Sequence, residues 1–156
     1  MRRRKAQIRD VLADPKYNSK IVGKFINMIM LRGKKSVAQQ IVYDALEMVM
    51  QKTNETDALK VFYKAMDNIR PHLEVKSRRI GGATYQVPIE VNKSRGTSIA
   101  SRWVRDIARN KKGKPMQEKL AEELIAAYKG EGSAVKKRDD LHKMAEANRA
   151  FAHFRW

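Results

Sequence analysis

The residues with the clearest chemical character lie in the stretch KSRGTSIASRWVRDIARNKKGK, residues 93–114. At about 100° per residue, this stretch predicts a helix with apolar side chains on one side and cations on the other. Guanidinium groups bind phosphates through paired hydrogen bonds and stack on exposed bases. Asp106 is the only acid in the stretch, so the cationic side predicts a surface for an anionic ligand rather than a solvated face of mixed charge. The cations are Arg95, Arg102, Arg105, Arg109 and Lys112.

Positive charge is concentrated in two blocks of the chain. Thirty-four Lys and Arg against 17 Asp and Glu give a formal net charge of +17 over 156 residues. Residues 1–35 carry 11 basic and 2 acidic side chains, and residues 71–115 carry 11 and 3. A charge of this size is unusual for an ordinary soluble enzyme and indicates a nucleic acid or an anionic membrane surface as the partner.

Catalytic and metal-binding chemistry finds no support in the sequence. The chain has no cysteine, which excludes disulfides, thiolate metal sites and a cysteine nucleophile. Among the three histidines, His142 stands four residues before Glu146 on a predicted helix. One imidazole and one carboxylate make neither a metal site nor a catalytic dyad, so this spacing predicts a surface ion pair. We therefore predict no enzyme activity, no metal and no cofactor.

A second set of cations lies in residues 1–18, which show no periodic pattern. We interpret this segment as a basic arm that settles along phosphates when nucleic acid binds. No apolar run of signal-peptide or membrane-spanning length is present, so we expect a cytoplasmic chain with no membrane partner. The cations of the arm are Arg2, Arg3, Arg4, Lys5 and Arg9.

The elements that position these cations are mostly helical. Apolar residues recur every three or four positions in five further segments, and each segment is a predicted helix. Ser19 and Ser133 are suited to cap two of these helices, Thr56 or Asp57 caps a third, and Gly33 ends the first.

For two of the predicted helices, the sequence indicates which residues face the core or the solvent. The helix after Pro115 is expected to turn its carboxylates outward, at Glu118, Glu122 and Glu123. In the arginine-bearing helix, the residues expected to face the core are Ile99, Ala100, Trp103, Val104 and Ile107.

Between residues 73 and 91 the apolar period changes to two, which predicts a β-hairpin that turns at Gly81-Gly82. A two-residue loop would pair Leu73 with Glu90, whereas a three-residue loop would pair Leu73 with Val91 and keep apolar residues opposite one another. We predict the three-residue loop, residues 81–83. The tip is basic, and two strands alone are marginally stable, so we expect helices at the base of the hairpin and a partner at its tip.

The predicted architecture is a mainly α, single helical domain of about six helices with one protruding β-hairpin and a basic N-terminal arm. Its parts are the arm at 1–18, the helical domain at 19–150 with the hairpin at 73–91, and an aromatic tail at 151–156. Phe151, Phe154 and Trp156 in that tail either dock in a groove of the protein or stack on bases.

The signature of a known family is visible in the first helices. The segments EVKSRRIGGATYQVPIEV and RGTSIASRWVRDIARNKKGKPM are also similar to bacterial members of this family, the small-subunit ribosomal protein seven family. The resemblance covers nearly the whole chain and keeps the family's order of helix, ribbon and arginine-bearing helix. The signature matches are FI at residues 25–26, GKK at 33–35, IV at 41–42, and Ala45.

The resemblance implies a mostly helical domain with a protruding ribbon in the head of the small ribosomal subunit. Family members bind the 3′ major domain of small-subunit ribosomal RNA (rRNA), start its folding, and lie near the exit-site tRNA and the mRNA path. They contact small-subunit ribosomal proteins nine and eleven, and some repress their own operon. The implied rRNA-binding residues are Arg2, Arg3, Arg4, Lys5, Arg9, Lys34, Lys35, Arg78, Arg79, Arg95, Arg102, Arg105, Arg109 and Lys112. The implied tRNA or partner-protein contacts are Gly81, Gly82, Ala83, Lys143, Arg149 and Trp156.

Two other classes of protein fit parts of the pattern. A DNA-binding regulator would place the arginine-bearing helix in a major groove, but reading helices offer Asn, Gln or a mixed set to base edges, and this helix offers arginine. A peripheral membrane protein needs a broad apolar face that stays exposed beside the basic one. The sequence favours a cytoplasmic, ribosome-bound structural RNA-binding protein, with the DNA-binding regulator as the alternative.

Overall fold

The computed structural model describes residues 10–154. Within that range the chain forms six α-helices, one two-stranded sheet and a short 3-10 helix, which confirms the predicted mainly α fold. The arm residues 1–9 and the last two residues lie outside the described range, and the division into arm, domain and tail stays a prediction. The elements are α1 (Lys20–Ile29), α2 (Lys35–Thr53), α3 (Ala58–Ile69), β1 (Leu73–Ile80), β2 (Ala83–Glu90), α4 (Lys93–Asn110), α5 (Met116–Tyr128), α6 (Ser133–Ala147) and the 3-10 helix (Arg149–Phe154).

The core lies where α1 to α5 pack together. Phe25 of α1 and Phe62 of α3 are almost fully buried, and their ring centroids are 5.4 Å apart. Val42 and Leu46 of α2 are about as deeply buried. These residues lie on the apolar faces that the sequence predicts. Helices of this length are stabilised mainly by burying such an apolar face, which has a period of 3.6 residues.

The predicted helix ends are partly right. The Ser19 hydroxyl accepts a hydrogen bond from the Val22 N–H at 3.3 Å, and Asp57 caps α3 in the same way at Leu59. However, α1 ends at Ile29 and not at Gly33, because the chain is already extended at Met30. Ser133 is the first residue of α6 and caps nothing with its side chain.

The buried face of α4 is rotated relative to the prediction. Gly96, Ala100 and Val104 are buried as a stripe of small residues, whereas Trp103 and Ile107 are half-buried at its flank. Small residues allow the closest approach of backbones, and a Cβ on Gly96 would lie only 2.6 Å from a side-chain carbon of Arg70 after α3. Ala100 and Val104 are therefore buried as predicted, whereas Gly96 is a buried residue that the prediction did not include.

The predicted register of the hairpin is wrong. The strands pair Leu73 with Glu90 and Ile80 with Ala83, so the loop is the two-residue Gly81-Gly82. Both glycines have positive φ, 55° and 90°, which matches the type I′ turn preferred by two-residue hairpins. The geometry of the turn therefore determines the register. The sheet tolerates the resulting pairs of apolar and polar residues, such as Leu73 with Glu90.

A buried carboxylate makes this register tolerable. Glu74 of β1 is only 8% exposed and lies opposite Ile89, on the face that packs toward the helical domain. It is neutralised by an ion pair with Arg95 of α4 at 2.8 Å and another with Lys76 at 3.3 Å. An ion pair therefore links the hairpin to the start of α4.

The C-terminal aromatic residues pack on the protein itself. Tyr85 of β2 lies 5.2 Å from the ring of Phe151 and 5.5 Å from the ring of Phe154, measured between centroids. Of the two placements considered for these side chains, the structure therefore has the one on the protein's own surface. The third aromatic residue of the tail, Trp156, lies outside the described residues. No helix in residues 10–154 is long and apolar enough to cross a membrane.

Candidate nucleic-acid interface

The exposed side of α4 begins at a well-defined cap. The Asn92 side chain accepts a hydrogen bond from the Arg95 N–H at 2.9 Å, which fixes the first turn of the helix. Arg102 lies midway along the helix and is exposed, and it makes no hydrogen bond or ion pair with any other described residue. Its guanidinium group therefore retains all of its donors for a ligand.

Arg95 has a partner inside the protein. Its Nε donates to Glu74 at 2.8 Å, and the arginine side chain is still 52% exposed. Burial alone raises the pKa of Glu74, but the hydrogen bonds from Arg95 and Lys76 outweigh it and hold that pKa below its ordinary value. Glu74 is thus ionised near neutral pH and directs the Arg95 side chain toward the base of the hairpin.

Arg105 and Arg109 also have partners. The Arg105 side chain pairs with neighbouring Asp106 at 2.7 Å and is only 23% exposed, which reduces what it offers to a ligand. The hydrogen bond from Arg105 lowers the pKa of Asp106. Arg109 is exposed and donates to the Ile29 carbonyl at 3.0 Å, so its position is fixed by the end of α1. A single hydrogen bond leaves several of the five guanidinium donors available.

The turn between α1 and α2 lies close to the end of α4. Lys34 and Lys35 are exposed, and Lys34 lines the same apolar cavity of about 270 Å³ as Arg109. The fold therefore brings together Lys34, from the basic block at residues 1–35, and Arg109, from the basic block at residues 71–115. Arg32 in this turn is also exposed, with a φ of 50° and no partner among the described residues. It was absent from the predicted set, although its place two residues before Lys34 was a usable signal.

The tip of the hairpin presents Arg78 and Arg79. Both are exposed and unpaired with any described residue, and the register places them on opposite faces of the ribbon. Arg78 shares a face with Tyr85 and therefore lies beside the packed tail. The turn glycines are exposed, and Ala83, expected in the loop, is the first residue of β2.

The loop between α4 and α5 is organised by a buried acid. Glu123 is 1% exposed, accepts a hydrogen bond from the Ala134 N–H at 2.8 Å, and pairs with Lys111 at 2.8 Å. The expectation that Glu123 faces outward is therefore wrong, because α6 begins directly over it and needs an acceptor for its first N–H groups. Glu122, beside it, pairs with Lys114, which leaves Lys112 exposed and unpaired within the described chain.

The remaining predicted contacts are dispersed. Lys143 near the end of α6 and Arg149 at the start of the 3-10 helix are exposed, and Arg149 pairs with Glu146 at 3.2 Å. The predicted ion pair between His142 and Glu146 is therefore wrong, because Glu146 pairs with Arg149 instead. The predicted contacts that lie outside the described residues are Arg2, Arg3, Arg4, Lys5, Arg9 and Trp156.

The two neighbouring histidines link α6 to the hairpin. His142 Nε2 accepts a hydrogen bond from the His72 backbone N–H at 3.1 Å, and the two rings stack. Burial, the nearby Arg138 charge and His72 together lower the pKa of His142. No group of three histidine or carboxylate side chains in residues 10–154 is arranged to hold a metal ion.

Comparison with known proteins agrees with these features. The family model of ribosomal protein S7p/S5e matches residues 1–149. The small ribosomal subunit protein uS7 of Fervidobacterium nodosum is 60% identical over 156 residues, which is all of both chains. The corresponding proteins of Thermosipho africanus and Pelobacter propionicus are 58% and 57% identical, over all and over 99% of both chains. The chain therefore belongs to the ribosomal protein S7p/S5e family.

Proposed function

We propose that this ribosomal protein of the small subunit binds the 3′ major domain of small-subunit rRNA directly and starts the folding of the subunit head. Its role is structural, with no catalytic step, and it acts in the cytoplasm as a ribosome-bound chain. The observation that carries the proposal is the set of exposed cations that no acid of the described chain neutralises. Those at the predicted sites and beside them are Arg32, Lys34, Lys35, Arg78, Arg79, Arg102 and Lys112.

These cations fit a folded RNA better than an isolated strand. They lie on four separate elements: the turn between α1 and α2, the hairpin tip, the middle of α4 and the loop after it. A rigid protein that offers phosphate contacts on several elements favours an RNA whose helices are already arranged to meet them. Binding by this surface therefore stabilises one arrangement of RNA helices over others, which is how a protein can start the folding of an RNA domain.

The proposed roles of the hairpin tip and of the residues around the end of α6 rest on the exposure of these residues. We infer that Gly81, Gly82, Ala83, Lys143 and Arg149 lie near the exit-site tRNA, the mRNA path or small-subunit proteins nine and eleven. The tip offers backbone groups and two arginines with little apolar surface, which suits a polar and adaptable contact.

Footprinting tests the proposal directly. The purified chain is bound to small-subunit rRNA, and backbone cleavage is compared with and without protein. We expect protection confined to the 3′ major domain. Protection spread evenly over the rRNA, or tighter binding of duplex DNA than of the rRNA at equal salt, would overturn the proposal and restore the DNA-binding alternative.

A further inference from the structure

A cleft of about 640 Å³ lies between α1 and the first half of α4, outside the set of residues assigned above. Its apolar part is formed by Val11, Ile21 and Met28. A volume of this size, with a mostly apolar lining and a few polar groups, is typical of sites that bind one small molecule or one inserted group.

The rim of the cleft is cationic. Lys24 of α1 and Lys93 at the start of α4 both line it, and both are exposed. Neither amine forms an ion pair or hydrogen bond with another residue of the described chain, and the same holds for the side-chain amide of Asn27, which also lines the cleft. Two unneutralised amines at the mouth of an apolar cleft favour a ligand with an anionic group attached to an apolar or aromatic body.

The α4 wall of the cleft presents hydrogen-bond acceptors. Thr97, Ser98 and Ser101 donate their hydroxyl protons to carbonyls one turn earlier in the helix, at 2.9, 3.0 and 2.8 Å. A hydroxyl has one proton and two lone pairs, so these oxygens can only accept from a ligand while the internal bonds persist. These three oxygens therefore match the N–H groups at the edge of a nucleobase.

We propose that this cleft binds one unpaired nucleotide of the rRNA. The base lies on Ile21 and Met28 with its N–H edge toward Thr97 and Ser98, and its phosphate is bound by Lys24 and Lys93. The proposal rests on the proposed function, because it requires a bound RNA, whose loops and bulges present unstacked bases. The rest of the proposed RNA surface contacts phosphates, and this subsite adds recognition of one unpaired base.

Affinity measurements test the subsite with matched variants of the full chain. The probes are a transcript of the 3′ major domain and a fully paired RNA duplex of equal length. Ser98→Trp fills the cleft without removing a charge, and we expect it to weaken binding of the transcript by about 5- to 100-fold, the range for loss of one stacked base. Duplex binding and the melting temperature should not change.

Lys20→Gln is the control for Lys24→Gln, because Lys20 lies one turn earlier on α1 and does not line the cleft. We expect Lys24→Gln to weaken transcript binding more than Lys20→Gln. Equal effects of the two variants would mean that both lysines act only through long-range electrostatic attraction to the RNA. That result would overturn the proposal of a nucleotide subsite.

Photo-crosslinking supplies a readout that does not depend on variants. Transcripts made with 4-thiouridine or 6-thioguanosine should crosslink to peptides 21–28 or 93–101. If the wild-type chain binds the transcript tightly but gives crosslinks only elsewhere, the subsite is wrong and the proposed function stands. If the transcript binds no better than the duplex, the proposed function itself fails. Unchanged RNA affinity of Ser98→Trp with poorer retention in assembled subunits would assign the cleft to a protein partner instead.

Discussion

The four arginines of α4 differ in how much of their charge is available to a ligand. Arg102 has no partner among the described residues, Arg95 and Arg109 each have one, and Arg105 is paired and largely covered. The sequence predicted one uniform cationic side because these residues share an arc of the helix. The internal partners come from other elements or from a neighbouring acid, which helical periodicity alone does not reveal.

We expect Arg102→Ala to weaken rRNA binding and to lower the slope of log affinity against log salt by about 0.7–0.9, the value for one phosphate contact. Thermal stability should not change, because the guanidinium group forms no hydrogen bond or ion pair with any described residue. Arg105→Ala serves as the comparison and should reduce the slope less, since its side chain is already paired with Asp106. Filter binding at several salt concentrations measures both slopes.

Glu123 should be important for stability. Replacing it with alanine removes a charged acceptor from the Ala134 N–H and leaves Lys111 without its partner. We expect the free energy of unfolding to fall by about 2–3 kcal/mol, as for a buried hydrogen bond to a charged group. The control is Glu122→Ala, whose exposed pair with Lys114 should cost less than about 1 kcal/mol. Denaturant unfolding compares the two, and equal losses would contradict the role of Glu123.

The stability of the protein should decrease as pH falls below about 6.5. The ordinary pKa of histidine is 6.5, and that of His142 in the fold is lower, so the unfolded state binds more protons between these values. This stabilisation is fully present above pH 6.5 and is lost as pH falls through the folded pKa. Melting temperatures at pH 7.5 and 5.5 test this. His142→Gln should reduce the difference, whereas His153→Gln, on an exposed ring, should retain it.

At the scale of elements, the helices were predictable and their rotations were less so. Apolar periodicity located all six α-helices, and side-chain capping at Ser19 and Asp57 fixed two starts. Helical periodicity does not reveal the rotation of α4, because Gly96 carries little hydrophobic signal, yet it is buried in the same stripe as Ala100 and Val104. The polarity of facing residues predicts the wrong hairpin register, because the positive φ of Gly81 and Gly82 favours a two-residue turn.

The candidate surface was partly predictable for a related reason. Clusters of like charge are visible in a sequence, so the arginines of α4 and the lysines at 34 and 35 were found. The cleft between α1 and α4 was missed, because its amines at Lys24 and Lys93 are isolated in sequence and meet only after the two helices pack.

The 3-10 helix should depend on the hairpin for its order. Tyr85→Ala removes the ring that contacts both Phe151 and Phe154. We expect amide hydrogen exchange in residues 149–154 to accelerate by at least about 5-fold, the equivalent of losing two aromatic pairs of at least about 0.5 kcal/mol each. Exchange in α1 to α3 should not change. Tyr128→Ala, which removes a ring distant from the tail, is the control, and unchanged exchange in the Tyr85 variant would show that the tail is held by other contacts.

For the whole molecule, the distribution of exposed cations predicts a steep salt dependence. With 6–10 phosphate contacts, rRNA affinity should fall by about 10³- to 10⁵-fold between 50 and 200 mM salt. Binding titrations across that range measure the slope. A loss of less than tenfold would mean that most of these cations do not contact phosphate.

The packing of Phe151 and Phe154 on Tyr85 has a consequence for how the molecule meets its partner. Near its tip, the hairpin has one side occupied by the C-terminal segment and one side open, with Arg79 on the open side. Because only the face with Arg79 is open near the tip, the hairpin can enter a groove of its RNA partner in only one orientation. We therefore expect the tail to restrict which side of the hairpin can face the RNA, and so the orientation of the whole domain on it.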